Sequence, residues 1–315
     1  FWAYGRGQPA RLVVWATADR SLAVTVPLPK ASVERPPVWA ADESAVAVVE
    51  DGANGARWAA QLYAVPSGRP ADTVPAPVGY DWPRRLAFTP DGKTLVAVAD
   101  AAPAGGRAAP RLTAFDVATG QPAASAELGR YSGESYDVEA DLDVSPDGKL
   151  VATATNELRL WDLASGRPVW AGGLRTERVV RVRFLPDGKQ LLTGSWYGPV
   201  DRWDCVDPAN PKRVGGAAFD PPADAFGAIQ PVGDGAVALR GPRALHLVTA
   251  DGRPVGGLRT NWLPEGHPAG DARVSADGRW AVTEGPAGVR LWDLADLTRP
   301  SPPPQVMSPA LNVYR

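Results

Sequence analysis

Short apolar runs with a polar residue at every second position recur along the whole chain, and turn signals punctuate them at regular spacing. Arg11-Leu12-Val13-Val14-Trp15 and Ser21-Leu22-Ala23-Val24-Thr25-Val26 have the length and two-residue period of strands. Two kinds of turn separate such runs. The first is Pro-Asp-Gly-Lys, at Pro90–Lys93, Pro146–Lys149 and Pro186–Lys189, with weaker copies at Asp42-Glu43, Asp234-Gly235 and Ala276-Asp277-Gly278. Glycine after aspartate supplies the positive φ that a tight hairpin needs. The second closes runs such as Leu160-Trp161-Asp162-Leu163-Ala164-Ser165-Gly166, with relatives at Phe115-Asp116, Trp203-Asp204, Trp292-Asp293, Ser67-Gly68 and Asp251-Gly252. Each unit therefore reads strand, Asp-Gly turn, strand, variable loop, strand, Gly turn, strand. That is a four-stranded antiparallel meander.

The first turn falls at Asp42, Asp91, Asp147, Asp187, Asp234 and Asp277, at intervals of 40 to 56 residues, so six complete units fit the 315 residues. The remainder sits at the two ends. Residues 1–30 read as the last strands of a unit, and Leu311-Asn312-Val313-Tyr314-Arg315 reads as its missing inner strand.

The Asp-Gly turns and Leu-Trp-Asp runs resemble the WD40-repeat family over nearly the whole chain. The resemblance implies an all-β, seven-bladed β-propeller of four-stranded antiparallel blades, a single domain over residues 1–315. Its blades would span 308–315 with 1–30, then 31–77, 80–128, 134–174, 176–219, 222–260 and 267–306. The composite blade would close the ring and leave no strand edge exposed. Family repeats also carry a Gly-His pair and a loop Asp that join a Ser/Thr and the Trp in a buried hydrogen-bonded network. Only Gly266-His267 offers such a pair here, and Asn156 or Tyr197 stands where the Asp belongs, so that network is not carried over.

Composition narrows the function classes. Net charge is -2, which disfavours nucleic acid or an anionic membrane as partner. No run of 18 apolar residues occurs, so no transmembrane helix is expected. Cys205 is the only cysteine and His246 and His267 the only histidines, a poor supply for zinc, so neither metal nor cofactor is expected. A lone cysteine favours a reducing compartment such as the cytoplasm, while an exported, periplasmic bacterial protein also fits. Five lysines against 28 arginines, with one isoleucine, suggest a GC-rich bacterial genome. The opening Phe1-Trp2, without Met, suggests a piece of a longer protein.

No Gly-x-Ser-x-Gly elbow occurs, Gly5-Arg6-Gly7 lacks the helix of a phosphate cradle, and two distant histidines make a poor base supply. No enzyme is expected. Two other constellations stand out. Two alternating positions before the first turn, small in the family, are charged here. The earlier carries Arg85, Asp141, Arg181, Ala228 and Asp271; the later carries Ala87, Asp143, Arg183, Gln230 and Arg273. This set reads as a ring of ion pairs in the central channel, with Asp141 between Arg85 and Arg181 and Asp143 beside Arg183. It is either a device fixing blade register or a site for an anion or polar ligand.

The variable loops hold Tyr80, Trp82, Tyr131, Tyr136, Arg178, Trp196, Tyr197, Trp262 and His267, the residue types that dominate interface hot spots. They form either a partner-binding face or caps on the blade cores. The expected function is a non-catalytic protein or peptide interaction scaffold or sensor module. It would be a monomeric ring within a larger bacterial signalling or regulatory protein. The competing reading is a ligand-binding or hydrolytic propeller that uses the channel charges.

Overall fold

In the computed structural model the described residues are 2–3, 10–15, 22–28, 37–101 except 41, 66 and 78, 109–128, 140–172 except 156, 179–195, 200–217, 228–232, 236–240, 244–249, 254–259, 273–275, 279–285, 288–293 and 305–306. Among them every regular element is a strand, and no helix long and apolar enough to cross a membrane occurs. Two compact units divide the chain, residues 1–171 and 172–314.

The first unit opens on a three-stranded sheet of β1 (Trp2–Ala3), β2 (Ala10–Trp15) and β3 (Leu22–Leu28). Three four-stranded sheets follow. One holds β4 (Val38–Trp39), β5 (Ala45–Asp51), β6 (Trp58–Ala64) and β7 (Pro70–Pro75). The next holds β8 (Tyr80–Phe88), β9 (Thr94–Ala101), β10 (Ala109–Asp116) and β11 (Pro122–Glu127). The third holds β12 (Asp141–Val144), β13 (Leu150–Ala154), β14 (Leu158–Asp162) and β15 (Arg167–Gly172).

The second unit has the same pattern: β16 (Val179–Phe184) to β19 (Lys212–Ala217) with β17 (Gln190–Ser195) and β18 (Val200–Asp204) between them. Then come β20 (Ala228–Val232), β21 (Ala236–Arg240), β22 (Ala244–Thr249) and β23 (Pro254–Arg259). The last sheet is β24 (Arg273–Val274), β25 (Trp280–Gly285), β26 (Gly288–Asp293) and β27 (Gln305–Val306). Strands pair with their chain neighbours, antiparallel, so each sheet is a meander. This repeated architecture fits a β-propeller. Residues 308–315, expected to supply a fourth strand beside β1–β3, lie outside the described residues.

The two turns of a sheet are built from their own side chains. In the β8–β9 turn the Asp91 carboxylate accepts from Thr89 Oγ1 (2.6 Å) and from the Lys93 amide (3.1 Å), while Gly92 takes φ +68. Asp147 does the same with Ser145 and Lys149. In the second turn Asp116 accepts from the Thr119 amide (2.8 Å) and hydroxyl (2.7 Å), and Asp162 accepts from the Ser165 amide at 2.8 Å. These carboxylates are held below the usual range, first by the hydroxyls of Thr89, Ser145, Thr119 and Ser165. The aspartates of Phe115-Asp116 and Trp161-Asp162 therefore shape the turn.

The two turns are also tied to each other. Amides of Val65, Val117, Leu163 and Cys205, one in each of four sheets, donate to the carbonyls of Ser44, Lys93, Lys149 and Lys189 at 2.7–2.9 Å. Both of these turns of a sheet thus lie at one end, and the connections of variable length lie at the other.

Neighbouring sheets within a unit pack face to face. Trp58 and Phe115, both fully buried, meet edge to face at 6.2 Å between the β4–β7 and β8–β11 sheets. Val96, Val98 and Leu112 meet Leu142, Val151 and Trp161 across the next gap. In the second unit Leu192 and Val200 pack on Ile229 and Val237. Burying each such side chain contributes about 1.5–3 kcal/mol. The turns repeat this stacking: Gly120 abuts Thr73 and Pro75, and Gly166 abuts Ala124.

Candidate functional site

Charge enters the first strands of the sheets at the places the residue pattern marks. Asp141, at the start of β12, has no solvent exposure, and its carboxylate takes a hydrogen bond from Arg85 Nε of β8 at 3.2 Å. Arg85 keeps 33% of its side chain exposed and also donates from Nη1 to the Arg84 carbonyl. Burying an ion costs several kcal/mol unless a counter-ion and hydrogen bonds replace its water. The Arg85 guanidinium does this across the gap between two sheets, so the pair joins neighbours within the first unit.

Beside it, Arg84 Nη2 contacts Asp100 Oδ2 at 2.6 Å, a pair the residue pattern does not reveal. Its origin is a bulge. Pro83 pairs with Ala99 and Arg85 with Val98, leaving Arg84 as the extra residue. A bulge breaks the two-residue alternation and re-aims the side chain it carries. Tandem Arg84-Arg85 is the one sequence signal that pointed there.

In the second unit the register shift between Val179 and Arg181 makes Val180 the extra residue of β16, so a bulge again precedes the charged position. Arg181 is buried, at 7% exposure. Arg183 is half-buried and donates to its neighbour's carbonyl at Val182. Asp143 of β12 and Gln230 of β20 are half-buried too. Arg273 lies in β24, but its side chain, like Asp271, is outside the described residues.

Of the aromatic set, Tyr80 and Trp82 are expected in a loop and instead belong to β8. Both are half-buried and pack on the core shared with the β4–β7 sheet. Tyr80 lies across its own sheet, its hydroxyl within 3.2 Å of Thr113 Oγ1 and 3.4 Å of Ser125 Oγ. Tyr131, Tyr136, Arg178, Trp196, Tyr197, Trp262 and His267 lie outside the described residues, in the segments between β11 and β12, β15 and β16, β17 and β18, and β23 and β24.

Two buried tryptophans each bond to a threonine of the preceding strand. Trp161 Nε1 donates to Thr153 Oγ1 at 2.9 Å and Trp203 Nε1 to Thr193 Oγ1 at 3.0 Å, both buried. The threonine stands opposite the residue two before the tryptophan, so one register rule finds both pairs. Cys205 follows as a small buried group; burial pushes its thiol up to about 12, leaving it protonated and unreactive at neutral pH.

Among the described residues no group of three or more His, Cys, Asp or Glu side chains is placed to hold a metal. No protein-family model matches the chain, and no curated protein matches it.

Proposed function

We propose that the chain is a non-catalytic platform for a protein or peptide partner, on a seven-bladed propeller of the WD40 type closed by a composite first blade. The partner meets the end of the sheets opposite the short turns.

The hydrogen bond between the two turns carries this reading. It draws both turns of a sheet together at one end, and their aspartates use the local donors. Every first turn from the β4–β5 to the β16–β17 connection has the same length, residues 40–44, 89–93, 145–149 and 185–189. Connections at the other end vary, from residues 155–157 to 128–140 and 260–272. Constant, internally satisfied turns suit a scaffold, and variable connections on a rigid scaffold suit recognition. The aromatics and arginines lie in those variable connections: Tyr131, Tyr136, Arg178, Trp196, Tyr197, Trp262 and His267. The Arg85–Asp141 pair supports a stabilising role for the inner charges over a ligand site. A module of this kind, in a larger bacterial signalling or regulatory protein, would act as scaffold or sensor.

The test is affinity capture with the full-length protein and its triple variant Arg178→Ala, Trp196→Ala, Trp262→Ala. Loss of a partner from the variant, with unchanged thermal unfolding, is the expected result. Undiminished capture would overturn the reading.

A further inference from the structure

The β5–β6 connection holds the chain's only Asn-Gly pair, Asn54-Gly55. The other four asparagines precede Glu157, Pro211, Trp262 and Val313, whose bulk or missing N–H obstructs attack by the following nitrogen. Asn54 and Gly55 both adopt positive φ, 53 and 85, and one hydrogen bond, from the Ala56 amide to the Ala53 carbonyl at 3.0 Å, closes the turn. Both residues are exposed. Among the described residues nothing hydrogen-bonds the Asn54 side chain or the Gly55 N–H. Positive φ at both central residues with the Ala53–Ala56 hydrogen bond is the hairpin turn that Asn-Gly favours, and it holds both residues at an exposed tip.

We infer that Asn54 is a site of spontaneous deamidation in the folded protein. Base removes the Gly55 amide proton, and the nitrogen attacks Asn54 Cγ. The bond from Cγ to the side-chain nitrogen breaks, ammonia leaves, and a cyclic imide remains. Water then opens the ring at either carbonyl, giving aspartate or isoaspartate. The net change is one water consumed and one ammonia released, with no oxidant or cofactor.

Isoaspartate adds a methylene to the backbone of a turn with no slack. A Cβ on Gly52 would meet the Ala56 carbonyl oxygen at 2.4 Å, and the Gly52 amide already donates to the Arg57 carbonyl. The displacement passes to Arg57, paired with Asp81 at 3.2 Å, and to Trp58, whose Nε1 donates to the Asp81 carbonyl at 2.8 Å. The lesion therefore reaches the core between two sheets.

The full chain and its Asn54→Gln variant are aged at mildly alkaline pH, then mapped by peptide mass spectrometry and by isoaspartyl methyltransferase labelling, beside a urea-unfolded sample. Expected are conversion at Asn54 many-fold faster than at Asn156, Asn210, Asn261 or Asn312, no labelling of that peptide in Asn54→Gln, and easier thermal unfolding of the aged wild type than of aged Asn54→Gln. Conversion at Asn54 only in urea, or faster conversion elsewhere, would overturn the site. Equal unfolding of the two aged proteins would overturn the link to Trp58.

Discussion

Single hydrogen bonds decide much of what individual residues do here. Trp161 and Trp203 are buried, and each indole N–H has one threonine hydroxyl to satisfy it. Thr153→Val and Thr193→Val keep the side-chain shape and remove the hydroxyl that accepts from the indole. Each should cost about 1–3 kcal/mol by urea unfolding, and Trp161→Phe in the Thr153→Val background should recover part of the loss. Asp141→Ala should cost more, about 3–5 kcal/mol, because it leaves a half-buried Arg85 without its carboxylate. Arg85 is one-third exposed and water replaces part of what Asp141 supplies it, so the expected loss lies toward the lower figure. The charged inner positions were legible as a pattern of alternating residues. Arg84 was not, because a bulge leaves no trace in an alternation it interrupts.

At the scale of the element, turn chemistry sets the repeat, and one turn departs from it. Where the other first turns place glycine, the β4–β5 turn places Glu43 at φ 58. Glu43→Gly should therefore stabilise the protein by about 1 kcal/mol, read as a rise in the urea midpoint. The turn aspartates also predict a response to acid. Asp42, Asp91, Asp116, Asp147 and Asp162 all have folded-state values below their ordinary 3.8. The unfolded chain binds protons first as pH falls, so their contribution is whole above about pH 4 and is lost as pH drops through the depressed values. Stability measured from pH 6 to 2 should fall in that lower window. Asp91→Asn with Asp147→Asn should flatten the fall, and an unaltered profile would show that these turns are not its source.

The strands themselves were legible because Asp-Gly and Trp-Asp signals bracket them. Tyr80 and Trp82 misled, since Asp81 and Pro83 beside them are turn-forming types. β8 tolerates Pro83 because it is the first strand of its sheet, and the adjoining register shifts absorb the missing donor.

For the molecule as a whole, the tie between the two turns makes the ends of the four sheets that carry it unequal as places to alter the chain. A segment inserted between Asp91 and Gly92 separates the Lys93 carbonyl from the Val117 amide and unfastens the outer hairpin from the inner one. The same segment between Gly105 and Gly106, in the β9–β10 connection at the opposite end, lengthens a link away from that tie, and loop closure grows only slowly with length. A Gly-Ser insert at the second site should leave the melting temperature nearly unchanged, while at the first it should lower it by several degrees. The protein thus carries its own map for grafting: in the tied sheets the turn end is closed to foreign sequence, and the other end can host a peptide epitope, a fluorophore tag or an entire second domain.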